Sequence, residues 1–550
     1  MRAVASGGEE RPPNPRDSAG AGSALSVPAR GWLAPAICIA AFINCSSVAE
    51  GLTGPDSQLA LQGLSGTLGA CALVWSALRG GWNSHNALFW LFAFLLVSAA
   101  SAIATHSLLL AFQALGTTII FVAAYAAAER AALTGHDNRL SVAVVVALAF
   151  AATSAILEAY AGLALSRPGR SPGGLVGNRN QLAALLVIGL PTLIAAGFAA
   201  KRVLLHGAAL FLFTVPIVLS RSRAAWLTSL GLVAIVVFIL SSRRVEPRAW
   251  RRVFALALFC LGGLVVALSV PNRLSWTVAN PYADTVKRLL DYETGSGAGR
   301  IRQWTVGLSA IRDNPILGAG TGNWSVFAWP YTMAKEEENV ALIRDMDAAL
   351  PSSDWLAVAA ERGLLAAVCL TAFYIALIRK GAQRHGALPN RPTVVATAFS
   401  VAAIGCFDTL ITLPAGALVS GILLGGSSWH NERATNDWPK RPLLAAMFAI
   451  ALICSSASAS TLASLHIISH WNNPTRIDRA SRVFPGHFGL QVFAAASWLR
   501  AGDCQRALLK AAHAHEVHPY RPEPMNLSRP CMNGWWDLGP RDLRADEQKD

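Results

Sequence analysis

The chain is dominated by apolar runs of about 20 residues, each long enough to cross a hydrocarbon core of roughly 30 Å. Of its 550 residues, 53% are hydrophobic and 14% are charged, whereas soluble proteins carry roughly a quarter charged residues. The sequence therefore predicts an all-α, polytopic transmembrane helical bundle of about 12–13 spans. The predicted spans are residues 32–49, 57–78, 87–104, 108–128, 140–164, 182–200, 203–219, 224–241, 253–270, 355–378, 394–412, 415–426 and 443–467.

The apolar runs divide the chain into three parts. Residues 1–31 are rich in Pro, Gly and Ser and are predicted to be a disordered cytoplasmic tail. Residues 32–467 form the predicted membrane domain, with a large loop at 271–353. Residues 468–550 form a polar tail, in which residues 494–508 resemble one degenerate tetratricopeptide-like helix pair. One such repeat is too little for a free-standing solenoid, so we expect it to pack on the membrane domain or mediate assembly.

Two cysteines stand apart from the other seven. Seven of the nine cysteines lie in apolar runs, where they act as small hydrophobic side chains. Cys504 and Cys531 lie in the polar tail. If the tail is extracytoplasmic, a disulfide between them is one expectation and two free thiols are the other, since sequence does not show their proximity.

The distribution of basic residues predicts the orientation. The net charge is +14, but the basic residues form short clusters in alternate loops instead of one stripe, which excludes nucleic acid as a partner. The cluster Lys201-Arg202 and the five arginines between positions 243 and 252 fall on one side. The positive-inside rule makes that side and the N-terminus cytoplasmic. An odd number of spans then places the C-terminus outside.

Three segments on the predicted outer side are nevertheless basic: residues 166–181, residues 220–223 and the loop 271–353. Long loops translocate despite their charge, but arginine in short outer loops is disfavoured and indicates a function. Guanidinium donates in a planar fork that matches phosphate oxygens, so the convergence of these segments predicts a diphosphate or other oxyanion site. The candidates are Arg179, Arg221, Arg223, Arg300 and Arg302, with Trp304 on the face of Arg300 if that segment is helical.

Each candidate also has a simpler interpretation. An arginine at a helix end can extend to lipid headgroups, and tryptophans at this level are typical of an interfacial belt. Gly318, Gly320 and Gly322 follow Asn314-Pro315 and predict a flexible turn. They do not form a Walker A loop, because no Lys-Ser/Thr follows them.

Four segments between residues 140 and 378 resemble the O-antigen ligase/polymerase superfamily of bacterial lipid-linked glycan transferases. They are Gly177-Asn178-Arg179-Asn180-Gln181, Ser222-Arg223-Ala224-Ala225-Trp226, the run from Arg300 and Trp304 to Asn323-Trp324, and Asp354-Trp355-Leu356 with Glu361-Arg362-Gly363. Their order and spacing are similar to the family pattern.

The resemblance implies a reaction and a location. The protein would be a multi-pass enzyme of the bacterial inner membrane that moves a glycan from undecaprenyl diphosphate to lipid A-core, another glycan or a protein on the periplasmic face. It would use no metal and no cofactor, and membrane lipid would be a further partner. Arg223 and Arg300 would stabilise charge on the leaving diphosphate. The implied substrate-binding residues are Asn178, Arg179, Asn180, Arg221, Arg302, Trp304, Gly320 and Asn323.

The chain departs from the family at one position. Ligases of the family commonly carry histidine where this chain has Ser352-Ser353, and serine does not act as a general base without a partner. Asp347, Asp354 or Glu361 are the expected replacements, and Asp354 is predicted to be catalytic. Asp408, in an apolar run, is a functional candidate because burying a lone carboxylate is costly.

Three enzyme activities and one transport activity remain open. An O-antigen ligase, a polysaccharide polymerase and a protein O-oligosaccharyltransferase share these motifs. A lipid-linked glycan flippase is the non-enzymatic alternative. A transporter would show internal repeats and polar pairs at the bilayer midplane, whereas here the polar signal lies at the outer surface, which favours the transferase.

Overall fold

A computed structural model describes residues 63–64, 67, 86–133, 139–163, 172–199, 203–242, 247–276, 278–288, 295–333, 351–382, 390–427 and 440–531. The predicted cytoplasmic tail, the span at 32–49 and nearly all of the span at 57–78 lie outside the described residues. Within them the chain is helical and contains no β-strand, so the predicted all-α class is confirmed.

Within the described residues, the membrane domain contains eleven apolar helices and three helices of the large loop. The apolar helices are α1 (Asn86–Ser101), α2 (Leu108–Leu133), α3 (Arg139–Ile156, continued by a π-turn at Leu157–Ala161), α4 (Arg179–Ala199), α5 (Val203–Leu219), α6 (Arg223–Ser242), α7 (Pro247–Ser269), α11 (Asp354–Ala382), α12 (Asn390–Phe407), α13 (Pro414–Ser427) and α14 (Lys440–His470). The loop helices are α8 (Pro281–Lys287), α9 (Gly295–Asp313) and α10 (Trp324–Met333).

Each of the eleven predicted spans inside the described ranges falls on one apolar helix. Helices α2, α3, α4, α7, α11 and α14 are long and apolar enough to cross a membrane, and α1, α5, α6, α12 and α13 are shorter apolar helices. One boundary differs in a way that matters. The span predicted at 394–412 ends as a helix at Phe407, so Asp408 lies in a turn between two helices and not inside a span.

Glycines allow the central helices to approach closely. Gly421 and Gly425 of α13 lie against the backbone of Phe121 and Tyr125 on α2, and a Cβ at Gly425 would collide with the carbonyl oxygen of Tyr125. Membrane helices associate by such close packing because lipid supplies no hydrophobic force between them. Phe121 and Tyr125 belong to the main apolar core, which includes side chains from all eleven apolar helices.

Contacts between helix ends show which ends lie together. Gly189 packs on Phe213 and Gly197 on His206, so α4 and α5 are antiparallel and the start of α4 lies beside the end of α5. Arg273 N, just after α7, donates to Ala159 O at the end of α3 (2.8 Å).

The starts of α11 and α13 lie at the same end of the bundle. Ser353 Oγ donates to Gly405 O (2.9 Å), which joins the start of α11 to the end of α12. Gly426 at the end of α13 lies against Ser141 at the start of α3. The start of α13 and the end of α3 therefore lie together at the opposite end of the bundle, with the start of α11. We call the end that holds the start of α11 the loop end; it consists of residues 157–163, 172–179, 219–223, 269–333, 351–354 and 407–414.

The C-terminal tail is a group of four helices: α15 (Pro474–Val483), α16 (Phe488–Arg500), α17 (Cys504–Val517) and α18 (Glu523–Ser528). The predicted helix pair corresponds to α16 and α17. The buried Lys510 of α17 pairs with Asp478 of α15 (3.0 Å). His518 Nε2 donates to Ser325 O on α10 (3.0 Å), so the tail rests on the large loop.

Cys504 and Cys531 are joined in a disulfide, which decides between the two expectations. It links the start of α17 to the residue that ends the turn after α18, 27 positions later. A cross-link over a loop of this length stabilises a fold by about 2–4 kcal/mol, mainly by restricting the unfolded chain.

We expect Cys504→Ser to lower the melting temperature of the tail, because the unfolded tail gains conformational freedom. The melting of purified full-length protein in detergent should shift downward in the variant, and a reductant should produce the same shift in the wild type but none in the variant. Mass spectrometry after alkylation provides the direct check: free thiols at both positions in the unreduced wild-type protein would contradict the bond.

Candidate functional site

Arg221 occupies a conformation that fixes its side chain. It lies in the turn between α5 and α6 with φ of 55°, in the left-handed region that side chains other than glycine seldom adopt. Its Nε donates to Thr285 Oγ1 (2.7 Å) and its Nη2 to Asp284 Oδ2 (3.2 Å). The guanidinium also lies 5.0 Å from the centroid of the Trp276 ring. These contacts hold the cation against α8 and offset the backbone strain.

Asp284 joins two arginines. While its Oδ2 accepts from Arg221, its Oδ1 accepts from Arg288 Nε at 2.8 Å, one turn along the chain. Arg223, the first residue of α6, donates from Nη1 to Arg288 O (2.6 Å). The turn 220–223 and the segment 284–288 are therefore bound to each other through both side chains and backbone.

Arg179 completes this group. It is the first residue of α4 and lies close enough to Arg221 for the two cations to repel each other. The turn before α4 is held by Glu158, whose Oε2 accepts from Gly174 N (2.7 Å). We call Arg179, Arg221, Arg223 and Arg288 the arginine cluster. Two of these arginines, Arg221 and Arg288, pair with Asp284. The cluster thus has four positive charges against the one negative charge of Asp284, and this excess suits a multiply charged oxyanion.

The predicted asparagines beside Arg179 have a local role. Asn178 Oδ1 accepts from the backbone N–H groups of Asn180 and Gln181 (2.9 and 3.3 Å). Asn178 is thus the N-cap of α4, and Asn180 lies in the first turn. Their contacts shape the helix start that presents Arg179.

Arg300 lies at the loop end on α9. Its charge acts on the carboxylate of Asp408, in the turn after α12. Three residues on, Gln303 Oε1 accepts from Ser352 N (2.8 Å), which fastens α9 to the start of α11. Arg302 and Trp304 lie on the exposed side of the same helix.

Arg223 and Arg300 belong to the same end of the bundle. Gly231 of α6 packs on Phe399 of α12, and eight residues separate each of these from the helix ends at Arg223 and Phe407. At 1.5 Å per residue both ends lie about 12 Å from this contact and at a similar height. Packed helix axes are about 8–10 Å apart, so Arg223 begins a helix next to the one that ends at the Asp408 turn.

The glycine-rich segment is a structural clamp, and its predicted flexibility is not what the contacts show. Ala319 N and Gly320 N donate to the carbonyls of Ala360 and Glu361, and Leu364 N donates to Pro315 O (2.9, 3.0 and 2.8 Å). A Cβ at Gly363, where φ is 82°, would collide with Ile316 O. The segment is therefore held against an interruption in α11 by backbone hydrogen bonds.

Gly320 and Asn323 are buried in this clamp. Asn323 Oδ1 accepts from Ser107 N (2.9 Å) and its Nδ2 donates to Thr321 O (3.0 Å). A Cβ at Gly320 would lie 2.8 Å from Thr105 Cα. Because these groups contact the connection between α1 and α2, the geometry assigns them to positioning the loop and not to substrate contact.

Glu361 anchors the clamp with its side chain. The carboxylate is buried and accepts from Gly322 N and Trp324 N (both 3.1 Å). The neighbouring Arg362 is also buried and donates to Ser98 Oγ and Thr118 Oγ1 (3.3 and 2.8 Å). This adjacent pair of opposite charges ties the large loop and α11 to α1 and α2.

Asp354 does not have the geometry of the predicted general base. Its two oxygens accept from the backbone N–H groups of Leu410, Ile411 and Thr412 and from the Thr412 hydroxyl, at 2.9–3.2 Å. A carboxylate with this many donors is occupied as an acceptor. Asp354 therefore positions the turn after α12, and this replaces the catalytic role expected from sequence.

Two charged residues of the site were missed by the sequence interpretation: Asp284 and Arg288. Their spacing of four residues, in an outer loop already recognised as basic, was the available signal. Asp347, the other expected replacement for the family histidine, lies outside the described residues.

Comparison with known proteins identifies one family. Residues 208–371 match the model of the O-antigen ligase family, and this segment contains Arg221, Arg223, Asp284, Arg300 and Asp354. No curated protein matches the chain. The domain and the apolar helices together indicate a multi-pass protein of the bacterial inner membrane with a function of the O-antigen ligase/polymerase type. The resemblance to the O-antigen ligase superfamily is thus confirmed by an O-antigen ligase domain at residues 208–371.

Proposed function

We propose that the protein transfers a glycan from a polyprenyl diphosphate, undecaprenyl diphosphate by the family resemblance, to an acceptor hydroxyl at the loop end. The observation that carries this proposal is the arginine cluster. Three sequence segments, at 179, 221–223 and 284–288, bring four arginines together, two of which pair with the carboxylate of Asp284. A lipid diphosphate is the anion that a cationic group at the end of a membrane bundle can reach while the lipid chain stays in the bilayer.

The leaving diphosphate gains negative charge as its bond to the sugar breaks. Donors fixed in advance at that place stabilise the transition state more than the ground state. Arg221 is already held by Asp284 and Trp276, so its role is to shape the cluster. Arg223, at the start of α6, and Arg300, beside the Asp408 turn, are proposed to contact the phosphates. Arg179, Arg288 and Arg302 supply further positive charge, and Trp304 is proposed to contact the lipid or the glycan.

We further propose that the loop end is periplasmic, with the N-terminus cytoplasmic and the C-terminal tail periplasmic. Arg379 and Lys380 at the end of α11 and Arg251 and Arg252 near the start of α7 lie at the opposite end, in agreement with the positive-inside rule. The disulfide in the tail suits an oxidising compartment.

The reaction is tested with full-length protein in nanodiscs and a synthetic polyprenyl-diphosphate glycan. We expect free polyprenyl diphosphate to appear only when an acceptor is added, together with an equal amount of glycosylated acceptor. Lipid A-core, a free glycan and a peptide are assayed in parallel. Movement of the intact lipid-linked glycan across liposome membranes, with no cleavage in any arm, would contradict the transferase and support a flippase.

The acceptor separates the ligase from its two enzyme alternatives. This chain has Ser352-Ser353 in place of the usual histidine of the ligases. A polysaccharide polymerase and a protein O-oligosaccharyltransferase are therefore alternative functions to the ligase. A strain without this protein is assayed for long-chain lipopolysaccharide, secreted polysaccharide and glycosylated protein. The product that disappears identifies the acceptor class.

A further inference from the structure

Three carboxylates lie on α11 or in the turn after α12, and they have different partners: Asp354 and Glu361 on α11, which are buried, and Asp408 in the turn. Asp354 accepts from three backbone N–H groups and one hydroxyl. Glu361 accepts from two backbone N–H groups, one at each oxygen. These two are engaged at both oxygens in holding the structure together, whereas the third, Asp408, has one oxygen that accepts from no described residue.

Asp408 has one oxygen engaged and one oxygen without a donor. Oδ1 accepts from the backbone N–H of Thr409 (3.0 Å). Oδ2 is buried, and no described residue donates a hydrogen bond to it. A buried polar atom left without a partner costs about 1–3 kcal/mol, and such exceptions call for an explanation. Binding of a hydroxyl-bearing ligand would remove this cost.

The orphaned oxygen lies next to the position of the missing histidine. Ser353 Oγ donates to Gly405 O, one helical turn before Asp408, and Ser352 N is bound to Gln303 on the helix of Arg300. Ser352 Oγ is also buried with no hydrogen-bond partner among the described residues. Ser352, Asp408 and Arg300 therefore lie where α9, the start of α11 and the end of α12 meet, and two polar atoms there lack partners among the described residues.

We propose that Asp408 is the catalytic base that takes the proton from the acceptor hydroxyl, in the role that histidine fills in related ligases; this rests on the transferase function proposed above. The acceptor oxygen forms a bond to the anomeric carbon of the glycan while the bond from that carbon to the diphosphate oxygen breaks. The electron pair of the broken bond leaves with the polyprenyl diphosphate beside Arg300, and the proton passes to Asp408 Oδ2. Ser352 Oγ accepts from or donates to the acceptor sugar and orients it.

The electrostatic surroundings agree with this role. Burial raises the pKa of Asp408, and the charge of Arg300 and the N–H of Thr409 oppose the rise. A carboxylate with a raised pKa is a stronger base than an exposed one. The charged and titratable groups on the elements around it are Arg300 on α9, Asp354 on α11, Arg223 at the start of α6 and Cys406 on α12. Since the base acts when deprotonated, the transfer rate should fall as the pH is lowered through this pKa.

The test compares Asp408→Asn and Asp408→Glu with the wild type in nanodiscs. Two quantities are measured: the pH dependence of kcat for transfer, and the binding of farnesyl diphosphate, which contains no glycan. Asparagine keeps the shape and the acceptor for Thr409 N but does not take a proton. We expect Asp408→Asn to lower kcat about 10²–10⁴-fold, to lose the acidic limb of the profile and to bind farnesyl diphosphate as the wild type does. Asp408→Glu should retain part of kcat and the acidic limb.

The exposed Glu516, on α17 of the tail, provides the control, and Glu516→Gln should leave kcat and its pH profile unchanged. Wild-type kcat and the same acidic limb in Asp408→Asn would overturn the assignment. Equal losses of transfer and of farnesyl diphosphate binding would also overturn it, because Asp408 would then act by placing Arg300. A wild-type protein that releases no polyprenyl diphosphate with any acceptor would overturn the transferase function itself.

Discussion

Arg300→Ala and Arg223→Ala should each lower kcat for glycan transfer about 10²–10³-fold while the protein remains folded and inserted. Loss of one fixed donor to a developing oxyanion has an effect of this size. Lysine at either position should recover little, because a single ammonium replaces the fork that pairs with two phosphate oxygens. The measurement is steady-state transfer in nanodiscs with the synthetic lipid-linked glycan.

Arg312 provides a matched control for Arg300. It lies on the same helix, twelve residues later, and is exposed, so it is about 18 Å further along the axis. Arg312→Ala removes the same side chain from the same loop and should leave kcat within about twofold of the wild type. If the alanine variants at 223 and 300 also retain wild-type kcat, the assigned roles are wrong.

Glu361→Leu should severely destabilise the membrane domain. The substitution removes the acceptor for two buried backbone N–H groups, those of Gly322 and Trp324, and leaves the buried Arg362 without its neighbouring negative charge. Removing one partner of a buried charge pair costs about 3–5 kcal/mol. We expect a large fall in melting temperature and in the yield of monodisperse protein in detergent.

Glu361→Gln offers a milder form of the same change. Glutamine keeps the volume and one acceptor oxygen. Its NH₂ group would face one of the two backbone N–H donors and cannot accept a hydrogen bond from it, so the loss of stability should be intermediate. Glu516→Gln, at an exposed carboxylate of the tail helix α17, should have no effect on melting. A Glu361→Leu protein that melts at the wild-type temperature would show that the clamp does not hold the loop.

The transmembrane helices could be predicted from sequence because hydropathy acts locally. A run of some 20 apolar residues has one stable form in lipid, whatever its neighbours are. The error at the end of α12 has a related cause. The turn at residues 408–413 is itself fairly apolar, and its N–H groups are satisfied by Asp354, which lies more than fifty positions earlier. The local sequence around residues 408–413 does not indicate a hydrogen-bond partner so far away in the chain.

The site was predictable in its charge but not in its detail. The excess of arginine on the predicted outer side indicated segments that the structure brings to one end of the bundle. The motif match did not distinguish residues with free polar groups from those that fit the loop to the bundle, and the contacts of Gly320, Asn323 and Asp354 are of the second kind. Asp408 was predicted to be functional because burying a lone carboxylate is costly, but it was placed inside a transmembrane span, whereas the helix ends at Phe407. The proposed role of Asp408 rests on the hydrogen-bond partners of Asp354 and Glu361, which the sequence does not show.

The most direct test of the account is an experimental structure of the full-length protein with a non-hydrolysable analogue of a polyprenyl-diphosphate glycan, by cryo-electron microscopy in nanodiscs. The account predicts that the diphosphate lies at the loop end, with phosphate oxygens about 3 Å from the guanidinium groups of both Arg223 and Arg300. Density for the diphosphate at any other place, with neither arginine in contact, would contradict it.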